Sequence, residues 1–335
     1  MGCEEPAAVD RGRYPDAVTP WEDEEWRETA LAWAEREAAA HGLRAAGRRT
    51  VRLRPWSVLV RIPVGERGAV WFKAAPPGGA FEAGLAEALA DWFPGRGLRP
   101  VAVLPERGWS LTPDGGPLFR DALDRGVAGV PDWEEMLRQY ARMQRALIPF
   151  AGRMDALGVP DGRVAALPET FDRLVDENAA LEGADRRELR RLRPRLARWC
   201  AELADTGIPD SLDHSDLHDG QSFVPEPGRF LFFDWGDAVI SHPFCSFLVA
   251  ARAARARYGT GVLPRLRDAY LEPWTGTGPT DTELRRALTL AWRLGAIGRA
   301  CSWGRLFPGA CGGAGPPGEE EGARWLRELL TEPPV

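Results

Sequence analysis

Apolar and polar positions alternate in short runs near the start of the chain and recur at steps of three and four over most of the rest. Residues 1–20 read as a frayed tail, and 20–41 as a helix whose Trp26, Leu31, Trp33 and Ala34 form one face, with Gly42 as its stop. The β-branched and aromatic stretches 51–63 and 69–74, joined by VGERG, predict a hairpin turning near 66–68. After the breaker APPGG, residues 81–93 have helical spacing through Phe81, Leu85, Leu89 and Phe93. Two apolar pieces, 98–104 and 109–112, flank the turn PERG and complete a small antiparallel sheet.

PDGGP at 113–117 is dense in turn formers and reads as a hinge. Beyond it the periodicity is helical, at 131–150, 169–181, 185–204, 244–258, 263–270, 281–299 and 319–330. Leu189, Leu192, Leu196, Trp199 and Leu203 mark the third of these, with Pro194 as a kink or restart, and 307–318 read as a loop. The division expected is a tail at 1–20, a sheet lobe at 21–117 and a larger, mostly helical lobe at 118–335.

One stretch breaks the helical rhythm. Residues 212–237, LDHSDLHDGQSFVPEPGRFLFFDWGD, gather two of the four histidines and several carboxylates around an apolar run that ends in Asp234. An acid at a strand end and a polar loop carrying His214, Asp216, His218, Asp219 and Gln221 suit a divalent cation and a proton acceptor. His-x-Asp-x-His spacing is also compatible with zinc and a hydrolase.

Composition narrows the partners. The formal net charge of −6, with no long basic run, speaks against a nucleic-acid backbone, and no apolar stretch reaches the ~20 residues of a membrane span. The five cysteines are scattered and never at zinc-finger spacing, which fits a reducing cytoplasm. The N-terminus lacks the basic and apolar regions of a secretory signal, and Pro6 stands where an acylation motif needs Ser or Thr. Basic residues are almost all arginine; Lys73 is the one lysine. A compact, flexible ammonium kept at one position suggests a task that a planar guanidinium does not fill.

His214, Asp216, Leu217 and Gln221 resemble the kinase catalytic loop H-R-D-L-x-x-x-N, with Gln at the Asn position, and Asp234-Trp235-Gly236 resembles D-F-G. HSDLHDGQ followed by FFDWGDAVISHP is closer still to the aminoglycoside phosphotransferase family, whose loop reads H-G-D-L-H-x-x-N, and the likeness spans about 51–330. The resemblance implies an α+β, two-lobed, protein-kinase-like fold: a small antiparallel-sheet N-lobe with one main helix that binds nucleotide, and a larger helical C-lobe with the catalytic loop. It implies transfer of the terminal phosphoryl group of ATP or GTP to a hydroxyl of a small molecule, an antibiotic or related secondary metabolite. Sugars, choline and amino alcohols are alternatives, as is a catalytically silent nucleotide-binding module. A protein acceptor is disfavoured, because no A-P-E ending follows Asp234.

In that scheme Asp216 accepts or orients the hydroxyl proton, Asp234 and Gln221 hold Mg2+, and His214 braces the loop. Lys73 contacts the nucleotide phosphates. Aligning F-E-x-x-L-x-x-x-L with the family's helix selects Glu82 over Glu87 as its partner. The family's glycine-rich loop has no counterpart in RPWSVLVRIP, so nucleotide contact there is assigned to Ser57 and backbone N–H groups. Asp219 and Asp237 are expected to be solvated or loop-capping, and Trp71, Trp235, Trp292 and Trp303 to be core.

Overall fold

The structure, a computed structural model, describes residues 7–65, 68–309 and 317–335. The turn expected near 66–68 and the middle of the loop expected at 307–318 fall largely outside them.

Strand β1 (Ala8–Asp10) lies within the stretch expected to be a frayed tail, and it runs parallel to β2 (Thr50–Arg54). Helix α1 (Glu24–Ala40) separates the two and is capped by Asp23, whose side chain accepts from Trp26 N–H. The stretch 51–63 is two strands rather than one. β2 ends at Arg54, Pro55 and Trp56 form the turn, and β3 (Ser57–Pro63) returns antiparallel. Pro55 lacks the N–H a continuing ladder would need, which is the physical reason for the break.

β4 (Ala69–Ala74), α2 (Phe81–Trp92), β5 (Ala102–Leu104) and β6 (Trp109–Pro113) follow. Among the described residues the sheet order is β1-β2-β3-β4-β6-β5. Strand alternation decides what each face carries. In β4, Val70, Phe72 and Ala74 are buried on one side, whereas Trp71 and Lys73 take the other. The buried face packs on α1, where Trp33 meets Phe72 and Trp109 with ring centroids 6.0 and 5.8 Å apart. Lys73 is thereby turned away from α1.

Helix α2 belongs to a different core. Phe81, Leu85 and Leu89 pack with the helical residues of the second lobe. Gly115, in the expected hinge, lies against Phe223: a Cβ there would approach the ring to 2.3 Å.

The second lobe opens with α3 (Phe119–Asp124), which the sequence reading did not anticipate, and α4 (Val130–Leu147), whose Trp133, Met136, Leu137, Tyr140 and Met143 are fully buried or nearly so. Each such side chain contributes about 1.5–3 kcal/mol by leaving water. α5 (Ala151–Ala156), α6 (Leu167–Glu177) and α7 (Gly183–Ala204) complete the approach to the polar loop, and α7 runs on through Pro194.

Two small strand pairs frame that loop. β7 (Ser211–Asp213) pairs with β10 (Val239–Ser241), and β8 (Ser222–Glu226) pairs with β9 (Arg229–Phe232). Helices α8 (Phe247–Tyr258), α9 (Leu263–Leu271), α10 (Asp281–Ser302) and α11 (Pro317–Glu328) enclose them. α10 starts in a capping box between Thr280 and Glu283 and crosses the lobe's core.

Candidate active site

The loop between β7 and β8 is fixed from below by Asp213. Its buried carboxylate accepts from Ser215 N–H at 2.7 Å, Ser215 Oγ at 3.0 Å, Ser246 Oγ at 2.6 Å and Ser241 Oγ at 3.3 Å. Ser215, just before Asp216, has φ 59° and Asp234 has φ 65°; among the described residues these are the non-glycine positions with positive φ. Such backbone costs of order 1–3 kcal/mol and persists where the surroundings over-determine it.

His214 is fully buried. Its Nε2 donates to Phe233 O at 3.0 Å, tying the loop to the end of the β8/β9 hairpin, and its ring tilts on Trp235 with centroids 4.7 Å apart. Burial lowers its pKa and keeps the imidazole neutral.

Lys73, from the sheet, reaches this loop. Its ammonium donates to Glu82 Oε1 at 2.6 Å and also to Asp234 Oδ1. Burial works against the charge on Lys73, but Asp234 and Glu82 outweigh it and raise its pKa. Burial likewise opposes ionisation of Asp234, and the adjacent Lys73 overrides it and lowers the pKa. Glu82 occupies the buried side of α2, while Glu87 is exposed. Gly236 makes the approach possible, since a Cβ there would lie 3.0 Å from Glu82 Oε2.

Gln221 stands between the two loop acids. Its Nε2 donates to Asp234 Oδ2 at 3.1 Å and to Asp216 Oδ2 at 3.3 Å. Asp216 is further bound by Arg299, on α10, whose Nη2 lies 3.1 Å from Oδ1. Burial would raise the Asp216 pKa; Arg299 and His218 reverse that, and the carboxyl is held well below its usual range. His218 Nδ1 accepts from Gly220 N–H at 2.9 Å, so its proton sits on Nε2, 3.6 Å from Asp216 Oδ2.

Lys73, Glu82, Asp216, Gln221 and Asp234 thus line one cleft, together with Trp56 and Trp303. His214 lies beneath it. Ser57 is buried at the start of β3 and is not among the lining residues, because the turn presents Trp56 instead. Trp303 is half-buried, packing against the core on one side and lining the cleft on the other, whereas Trp235 and Trp292 are buried.

Two acids expected to be solvated or loop-capping are ion-paired. Asp219 accepts from Arg120 Nε at 2.9 Å and Nη2 at 2.7 Å, and Asp237 lies 3.2 Å from Arg299 Nη1. Arg120, Arg299 and Asp213 were not singled out from the sequence. Arg299 carries the clearest signal after the fact, as a lone charge in the apolar run LGAIGRAC.

Of the two expected magnesium ligands, Asp234 fits through its carboxylate, since magnesium is commonly held by one or two carboxylates plus substrate oxygens. Gln221 turns its amide nitrogen, not its oxygen, toward Asp234 Oδ2, so it would reach the ion only with the amide turned over. Among the described residues no three His, Cys, Asp or Glu side chains converge as a metal centre of protein ligands alone.

No family model matches the chain, and no curated protein matches it by sequence. Solved structures do. The ethanolamine kinase Pv091845 of Plasmodium vivax superposes with a TM-score of 0.62 at 11% identity, over 92% of this chain and 89% of that one. The GDP complex of aminoglycoside 2'-phosphotransferase-IIIa gives 0.57 at 15% identity, over 90% and 98%. The macrolide 2'-phosphotransferase MphH of Brachybacterium faecium gives 0.52 at 20% identity, over 89% and 98%. The chain therefore has the two-lobed, protein-kinase-like fold shared by aminoglycoside and macrolide phosphotransferases and ethanolamine kinases.

Proposed function

We propose that this protein moves the terminal phosphoryl group of ATP or GTP to a hydroxyl of a small molecule. The observation that carries the reading is Lys73, bound at once to Glu82 and Asp234, with Asp216 joined to Asp234 through Gln221. Phosphoryl transfer needs positioning and charge neutralisation more than covalent participation, and this set supplies both.

Lys73 contributes a fixed positive charge to the nucleotide phosphates, and Glu82 holds that charge in place. Asp234 would hold Mg2+, joined by Gln221 through its amide oxygen once that amide turns from its hydrogen bonds to the two acids, and the ion would neutralise phosphate charge. Asp216, kept ionised by Arg299, accepts a hydrogen bond from the acceptor hydroxyl and orients its oxygen toward the phosphorus. A carboxylate so stabilised is a weak base, which suits a loose transition state in which the hydroxyl proton leaves late.

An antibiotic or related secondary metabolite is the acceptor class that the sequence resemblance and the fold support together. An amino alcohol is the second reading, favoured by the superposition on the Plasmodium vivax ethanolamine kinase. Calorimetric titration of nucleotide with and without Mg2+ tests the donor half. Asp234→Ala is expected to abolish the Mg2+-dependent part of the affinity; unchanged binding would remove Asp234 from the metal site.

A further inference from the structure

The segment after α10, residues 303–309, crosses from the helical lobe to the sheet. Phe307 N–H donates to Pro55 O at 2.8 Å, the Phe307 ring enters the sheet's core, and Trp303 meets Trp56 edge to face at 5.4 Å. The Pro55–Trp56 turn is therefore tied to the other lobe. It contains no glycine, and Pro55 has no N–H, so it is poorly made for the backbone cradle that glycine-rich loops offer to phosphates.

Charge neutralisation must then come from side chains. Of the lysine and arginines lining the cleft, Lys73 is already held by Glu82 and Asp234, and the others are Arg299 and Arg305. Arg299 is only 6% exposed. Its Nη2 faces Asp216 and its Nη1 lies 3.2 Å from Asp237, but Nη1 and Nε are both buried without a hydrogen-bond acceptor. Arg305 donates from Nη2 to Asp237 O at 3.0 Å, and its buried Nε also lacks an acceptor. Desolvated guanidinium N–H groups left unpaired are costly, and an anion that accepts from them removes that cost.

We propose that Arg299 and Arg305 form an oxyanion subsite at the donor–acceptor junction of the cleft, built to take a phosphate-type group beside Asp216. The group is either the terminal phosphate of the nucleotide or an acidic substituent of the acceptor; the planar fork of arginine suits both. This inference rests on the phosphotransferase reading.

Calorimetry on the full chain with Mg2+ compares ATP with ADP and GTP with GDP. Inorganic phosphate, titrated into protein saturated with the diphosphate, probes the subsite with the terminal-phosphate position vacant, and the triphosphate arm separates donor from acceptor. If the subsite serves the nucleotide, Arg305→Gln weakens the triphosphate about tenfold and leaves the diphosphate within about twofold. If it serves the acceptor, triphosphate affinity holds and phosphate binding is lost. Either result supports the subsite. Arg305→Lys keeps the charge without the fork and is expected to lose less, and a melting temperature matching the parent separates a lost ligand contact from a lost fold. Equal binding of all three ligand types in parent and Arg305→Gln overturns the subsite and leaves the phosphotransferase reading standing. Failure of the parent protein to bind nucleotide overturns that reading, and the subsite with it.

Discussion

Gln221 Nε2 lies 3.1 Å from Asp234 Oδ2, and the same nitrogen reaches Asp216. A glutamine at the position where the resembling families carry asparagine is therefore the link between the two acids, at full reach. The longer side chain alone, read from sequence, suggests that asparagine would serve as well or better. The geometry reverses that expectation, because an asparagine is one methylene short of both carboxylates. Gln221→Asn should weaken Mg2+-dependent nucleotide binding by about tenfold in calorimetry, as expected for losing charge-assisted hydrogen bonds. Equal or tighter binding would show that the bridge is incidental.

Gly236→Ala tests the Lys73–Glu82 pair without touching either residue. The added Cβ would stand 3.0 Å from Glu82 Oε2, inside ordinary contact, and Glu82 must move. Nucleotide affinity should fall about fivefold, with a melting temperature lowered by only a few degrees. Unaltered affinity would mean that Glu82 does not position Lys73 for the nucleotide.

Asp213 lies beneath the loop between β7 and β8 and accepts four hydrogen bonds while buried. Asp213→Asn turns an amide NH2 toward groups that themselves donate. Stability should drop by about 2–3 kcal/mol, measured by urea unfolding, since a mismatched buried polar group keeps its desolvation cost. A change under about 0.5 kcal/mol would contradict the role assigned to this residue.

His242 gives a pH signature separate from the cleft. Burial pushes its pKa down to about 3 from an ordinary 6.5, its Nδ1 accepts from Phe244 N–H at 3.3 Å, and its Nε2 has no partner. Below pH 6.5 the unfolded chain takes up a proton that the folded chain refuses, so stability falls as pH drops from 6.5 toward 3. His242→Asn keeps an acceptor near Phe244 N–H and does not titrate. Between about pH 7 and pH 5 the parent should lose about 2 kcal/mol more than this variant; parallel curves would show that His242 is protonated in the fold.

The sequence made the cleft legible wherever chemistry is written in short-range order. The loop around Asp216 and the acid at the strand end at Asp234 stand within one stretch, and Lys73 stands out as a lone lysine. Its partner Glu82 came from the likeness to the family's helix, and the phase of α2, which buries Glu82 and exposes Glu87, agrees with it. What was not legible depends on distant packing. Arg299 and Arg305 reach Asp216 and Asp237 only because α10 and the segment after it fold back across the lobe. The turn at Pro55–Trp56 lies within what reads as one β-branched and aromatic stretch, since RPWS lacks the glycine or asparagine that announces most hairpins. Asp213 reads in sequence as one more acid among several; its role comes from Ser241 and Ser246, brought beside it by the β7/β10 pair and the turn that follows.

The most direct test of the central claim follows the terminal phosphate. The parent protein and Asp216→Asn are incubated with Mg2+ and γ-labelled ATP or GTP against a panel of aminoglycosides, macrolides, ethanolamine and choline, with nucleotide affinity measured in parallel. The account predicts that label enters an organic phosphate with the parent, and that Asp216→Asn binds nucleotide about as tightly while transferring at least about a hundredfold more slowly. Transfer by Asp216→Asn at the parent rate, or nucleotide binding by the parent with no transfer to any acceptor, would contradict it.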